Sequence, residues 1–99
     1  MVQPINDGVI LEVIDKGLSA IGTNAKQALW YCLEKDFGFD QNKVPENLEV
    51  FEDTLKDFFG LGYGFLDALF RQYLGEATGE DLHGYKTFGD CVRGLRKKT

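Results

Sequence analysis

The residues of this chain that could do chemistry are few and stand far apart. Its one histidine, His83, follows Glu80 and Asp81 in a glycine-flanked stretch. A histidine works as a general base or a metal ligand only with an orienting partner or two further ligands. Glu80 and Asp81 form no such spacing, so a solvated loop is the reading preferred. Cys32 and Cys91 are widely separated, with no Cys-x-x-Cys pair. They make neither a disulfide framework nor a zinc site. Each sits among apolar residues, where thiols pack and stay inert. Asp36, Asp40, Asn42 and Glu46 bring a calcium loop to mind but miss its Asp-x-Asp-x-Asp-Gly pattern and its terminal bidentate Glu. Gly60-Leu-Gly-Tyr-Gly64 lacks the Lys-Ser/Thr and the preceding strand of a phosphate loop. It reads instead as the end of one helix and the start of the next. The expectation is a non-enzyme with no metal and no cofactor.

Recognition chemistry is better represented. Trp30 and Tyr31 form an aromatic pair, and Tyr63 is a third candidate. Such residues are enriched at interface hot spots. The bland alternative has Trp30 closing the edge of the core and Tyr31 as an ordinary exposed tyrosine. Charge is unevenly placed. Residues 1–92 hold all 16 acids and 7 Lys/Arg, a net of -9, while Arg93, Arg96, Lys97 and Lys98 give the last seven residues +4. An acidic body repels phosphate backbones, and four basic charges without interleaved aromatics are a weak nucleic-acid signal. The basic end suits an acidic partner surface or a second copy of the chain; a frayed, solubilising helix end is the plainer alternative. Tyr31, Trp30, Tyr63, Arg93, Arg96 and Lys97 are therefore the expected partner-binding residues.

The elements that must position these groups are helical. At 99 residues and 43% hydrophobic content the chain can build one core, and eight Phe supply much of its volume. β-Branched runs and hairpin turns are scarce, whereas 3.6-residue periodicity recurs. Ile10, Val13, Ile14, Leu18 and Ile21 predict a first helix over 7–21, with Gly17 inside its apolar stripe. A second helix over 23–37 is expected to be capped by Thr23 or Asn24 and stopped by Gly38. Its inward face is Ala25, Leu29, Cys32 and Leu33. A third begins near Asn47, buries Leu48, Phe51, Leu55, Phe58 and Phe59, and turns Glu49, Glu52, Asp53 and Asp57 to solvent. A fourth, over 63–75, has the widest apolar arc, including Phe65, with Asp67 and Arg71 on its wet side; it is expected to be the most buried. Residues 75–84 read as loop. A weaker last helix, 85–97, would bury Tyr85, Phe88, Val92 and Leu95. No run approaches the roughly 18 apolar residues of a membrane span. Pro4, Asn6 and Asp7 break up any signal peptide, which points to the cytoplasm.

In this frame, Ile10-Leu11-Glu12 and Ile14-Asp15 are followed by Lys26-Gln27-Ala28, Trp30-Tyr31, Leu33-Glu34 and Phe37-Gly38. Lys43-Val44-Pro45, Phe51, Leu55 and Phe59-Gly60 complete the series. On these residues the chain resembles, over about 8–75, a small archaeal all-helical family, the output domain of Nitrosopumilus-type signalling proteins. The resemblance implies a helical bundle, bromodomain-like in outline, acting as an output or interaction module. Cys32 stands where family members often carry His, so no histidine role transfers to that position. Residues 76–99 are poorly covered by the resemblance.

The sequence thus predicts a single all-α domain over 1–99, with a core at 8–75, four main helices and a weaker C-terminal one. The function expected is a non-enzymatic interaction or signalling-output module with a protein partner or as a homo-oligomer. A second reading is a small-molecule or acyl-group binder, its pocket lined by Phe58, Phe59, Phe65, Phe70 and Tyr73. A third, a DNA-binding helix-turn-helix, is disfavoured by the acids on the third helix.

Overall fold

The first helix opens where a side chain can satisfy its free amides. The Asn6 side-chain oxygen accepts from the Val9 amide at 3.0 Å and starts α1, Asp7–Ile21. Ile10, Val13, Ile14 and Leu18 are all but wholly buried. Gly17 interrupts this stripe for a packing reason. A Cβ there would collide with the Phe70 ring, so its absence lets that side chain of the fourth helix pack against the α1 backbone. The computed structural model describes residues 5–38 and 40–97. Within them the secondary structure is all-helical, and the most extensive packing is between the first and fourth helices.

A single residue, Gly22, separates α1 from α2, Thr23–Phe37. The expected caps Thr23 and Asn24 do not act. Gly22 itself is the N-cap, and no side chain bonds the first amides. With one residue between the helices, Thr23 is already inside α2, leaving no room for a side-chain cap. The other end behaves as expected: Gly38 takes the left-handed conformation and its amide donates to the Glu34 carbonyl. The chain then returns through a 3-10 turn, Gln41–Glu46, whose Val44 and Pro45 are buried and which packs on α1. Because of this return, α3, Leu48–Phe59, packs beside α2, with Trp30 stacked on Phe51 and a hollow lined from both helices.

Two side chains of α3 reverse the expectation. Glu52 is buried at 8% exposure, and Phe58 is 40% exposed. The last helix covers α3 on the Glu52 side and leaves the Phe58 side open. α4, Tyr63–Thr78, follows a short 3-10 turn, Gly60–Gly62. It runs three residues past its expected end, through a segment expected to be loop, because Thr78 Oγ1 donates to the Leu74 carbonyl and Gly79 supplies the left-handed stop. It also buries Asp67 and exposes Phe65 at 65%, both against the sequence reading. In α1 the expected stripe is buried from Ile10 to Leu18, with Ile21 only partly so.

α5, Phe88–Lys97, starts three residues later than expected. Thr87 Oγ1 accepts from the Asp90 amide at 3.1 Å and so fixes the first turn there. Tyr85 lies outside the helix, and its ring occupies the space that a Cβ at Gly94 would need. The segment expected to be weak is integral to the core: Phe88, Cys91, Val92 and Leu95 are each at most 4% exposed. A row of rings ties four helices together, with centroids 6.1 Å apart for Trp30–Phe51, 6.2 Å for Phe51–Phe70 and 5.1 Å for Phe70–Phe88. These separations lie in the favourable range for aromatic pairs.

Candidate functional site

With the core closed by these residues, several large apolar side chains remain outside it. Tyr31, Phe37, Phe58, Leu61 and Phe65 are between 40% and 103% exposed. They come from α2, the end of α3, the Gly60–Gly62 turn and the start of α4. Leu61 and Phe65 are four residues apart across continuous helical turns, which puts them on one side of that segment. Phe58 and Phe37 both line a hollow of about 210 Å³ between α3 and α2.

The six residues expected to bind a partner do not share one exposure. Tyr31 projects into solvent, with the Lys35 ammonium 5.8 Å from its ring centre. Trp30 packs against the core and stacks on Phe51, so it is the edge of the core that it closes. Tyr63 likewise packs against the core, its hydroxyl 3.5 Å from Asp67. Burial pushes its phenol well above the usual range, and the charges of Glu52 and Asp67 add to the effect. Arg93 pairs with Asp90 at 2.8 Å. Arg96 bonds Asp7 and the Pro45 carbonyl, joining the C-terminal helix to the start of α1 and to the 3-10 turn. The Lys97 side chain and all of Lys98 lie outside the described residues.

No family model, curated protein or solved structure matches the chain. The functional reading therefore rests on this molecule's own surface and interior.

Sequence reasoning missed a polar cluster beneath α5. Asp67 Oδ1 accepts from the Phe88 amide at 2.8 Å, and Oδ2 accepts from Arg71 Nε at 2.9 Å. Asp67 thus caps a helix that begins 21 residues later in the chain. Glu52 lies beside it, against Gly89, where a Cβ would collide with the carboxylate. Glu52 Oε1 is buried and accepts no hydrogen bond. Burial raises the Glu52 carboxyl above its ordinary value; Arg93 pulls it down, Asp67 pushes it up, and the Gly89 amide and Lys56 lower it. The sequence signal for this cluster is Gly89 in α5, which reads as weakness and not as room for a buried acid.

The remaining chemistry-bearing residues are dispersed. His83 Nδ1 lies 2.6 Å from Asp81 Oδ1, but both side chains are more than four-fifths exposed. The pair borders an open hollow with Arg71, Gln72 and Leu82. Hydrogen bonds from His83 hold the Asp81 carboxyl below its usual range. Burial pushes the Cys91 thiol up to about 11, which makes it a poor nucleophile at neutral pH. Among the described residues no three His, Cys, Asp or Glu side chains are grouped to hold a metal ion. The rings expected to line an acyl pocket are not gathered round one space: Phe70 is in the core, while Phe58 and Phe65 point outward. Glu49, Asp53 and Asp57 are exposed on α3, as the argument against DNA binding requires; Glu52 is the exception. No helix among the described residues is long and apolar enough to cross a membrane.

Proposed function

We propose that this chain is a non-enzymatic protein-interaction module, engaging a protein partner through apolar side chains on α2, the end of α3 and the start of α4. The observation that carries this reading is the excess of large apolar groups outside a core that is complete without them. Phe58, Leu61 and Phe65 fall within eight residues of sequence, and Leu61 is fully exposed. Soluble domains keep contiguous exposed apolar surface small unless a partner covers it. The surface centres on Phe58, Leu61 and Phe65, because Trp30 and Tyr63 pack against the core. Tyr31 stays within the surface.

The test is affinity capture from source-cell lysate with the intact chain as bait, beside a bait carrying Leu61→Ser and Phe65→Ser. Both positions are exposed, so the fold should be retained, as circular dichroism would verify. The expected result is a stoichiometric partner held by the wild-type bait and lost from the variant. Identical captures by both baits, or recovery of the bait alone, would count against the reading.

A further inference from the structure

We infer that the hollow between α2 and α3 is a docking site for an arginine-bearing basic segment of a partner protein; the inference rests on the interaction reading above and names its partner's chemistry. The hollow is lined by Cys32, Asp36 and Phe37 of α2 and by Thr54, Asp57 and Phe58 of α3, and the Thr54 hydroxyl is already committed to the Val50 carbonyl at 2.9 Å.

Three observations fix the sign of the occupant. Among the described residues no basic side chain lines the hollow. Among the described residues neither Asp36 nor Asp57 takes part in an ion pair. The lysines next to them in sequence are engaged elsewhere: Lys35 Nζ lies over the Tyr31 ring at 5.8 Å, and Lys56 Nζ over the Tyr63 ring at 5.5 Å. Asp36 and Asp57 therefore leave two carboxylates without an ion-pair partner in the lining of a hollow that also presents two phenylalanines. At about 210 Å³ the space admits a long side chain, not a folded domain. A guanidinium suits it better than an ammonium. Its plane stacks on aromatic faces, its fork pairs with a carboxylate through two parallel bonds, and it gives up its hydration more readily.

The experiment uses the intact ¹⁵N-labelled chain and a short blocked peptide with arginine flanked by leucines, followed by amide shift changes. A control peptide carries citrulline, which keeps the shape and removes the charge. The expected result is shifts confined to residues 32–37 and 54–58, with no binding of the citrulline peptide. Asp36→Asn with Asp57→Asn should weaken the arginine peptide about tenfold, equivalent to roughly 1.4 kcal/mol. Glu12→Gln with Glu76→Gln, which removes the same charge from exposed sites elsewhere, should leave it unchanged. Shifts spread over the acidic surface, equal loss in both double variants, or equal binding of citrulline would overturn the inference. Repeating the lysate capture with the Asp36→Asn, Asp57→Asn bait separates the two readings. The same partner held by wild type and variant overturns the groove and leaves the interaction reading standing. A wild-type bait that captures nothing, while the peptide still enters the groove, overturns the interaction reading and leaves the cation site.

Discussion

Glu52 is the residue whose placement departs furthest from its chemistry. A carboxylate on an otherwise acidic helix face belongs in water, yet α5 lies over it and leaves Oε1 without a donor. Such a group costs stability when charged, because buried ions need a partner to offset lost hydration. The direction of its titration gives a test. Its pKa in the folded chain is raised above the ordinary value of 4.5. The folded state thus holds the proton more tightly than the unfolded one. The stabilisation from Glu52 is fully present below the unfolded pKa and is lost as pH rises through the folded pKa. Glu52→Gln keeps the shape and abolishes the titration. Urea melts from pH 4 to 8 should therefore show the variant gaining on wild type as pH rises above about 4.5, with the two closest at the acid end. Parallel stability profiles would mean that Arg93 and the Gly89 amide already neutralise the burial cost.

At the scale of elements, the glycines separate two reasons for having no side chain. Gly17 of α1 and Gly64 of α4 look alike on a helix-propensity scale, where each costs up to about 1 kcal/mol relative to Ala. Their surroundings differ. A Cβ at Gly17 would collide with the Phe70 ring, which is fixed between Phe51 and Phe88, whereas a Cβ at Gly64 meets nothing within 4 Å. Gly17→Ala should destabilise by roughly 1–3 kcal/mol, the usual cost of overpacking. Gly64→Ala should be neutral or stabilise by up to about 1 kcal/mol. Denaturant midpoints of the two variants decide the matter; equal effects would show that α1 and α4 can slide apart without loss. The same contrast explains what could be read from the sequence. The apolar stripe of α1, the Gly38 stop and the ranges of α1 and α2 follow from local rules, and the structure agrees with them. The burial of Glu52 and Asp67 depends on where α5 lands, and no local pattern encodes that. The candidate surface was half legible for the same reason. Tyr31 lay off every apolar stripe, but Phe58 and Phe65 lay on stripes whose neighbours cover other sides of their helices.

At the scale of the whole molecule, the sequence reading divides the chain into a core at 8–75 and a weak end, while the packing makes the end part of the core. α5 buries Phe88, Val92 and Leu95 and covers Glu52, and Asp67 holds its first amide. Three such apolar side chains contribute roughly 1.5–3 kcal/mol each. Their sum is comparable with the total stability of a domain of this size, about 5–15 kcal/mol. Removing α5 would also uncover Phe70, which sits beneath Phe88 with its ring centre 5.1 Å away. A chain ending at Gly84 should therefore lose its cooperative urea transition and its near-ultraviolet dichroism, while keeping much of its helical signal. Those are the signs of secondary structure without fixed packing. A transition as steep as that of the full chain would instead show that residues 5–84 close a core by themselves, with α5 as an appendage. The arginine link from α5 to Asp7 and the Pro45 carbonyl argues for the first outcome, because it joins the end of the chain to its beginning. Contacts that close so long a loop are rewarded only when the whole fold is present.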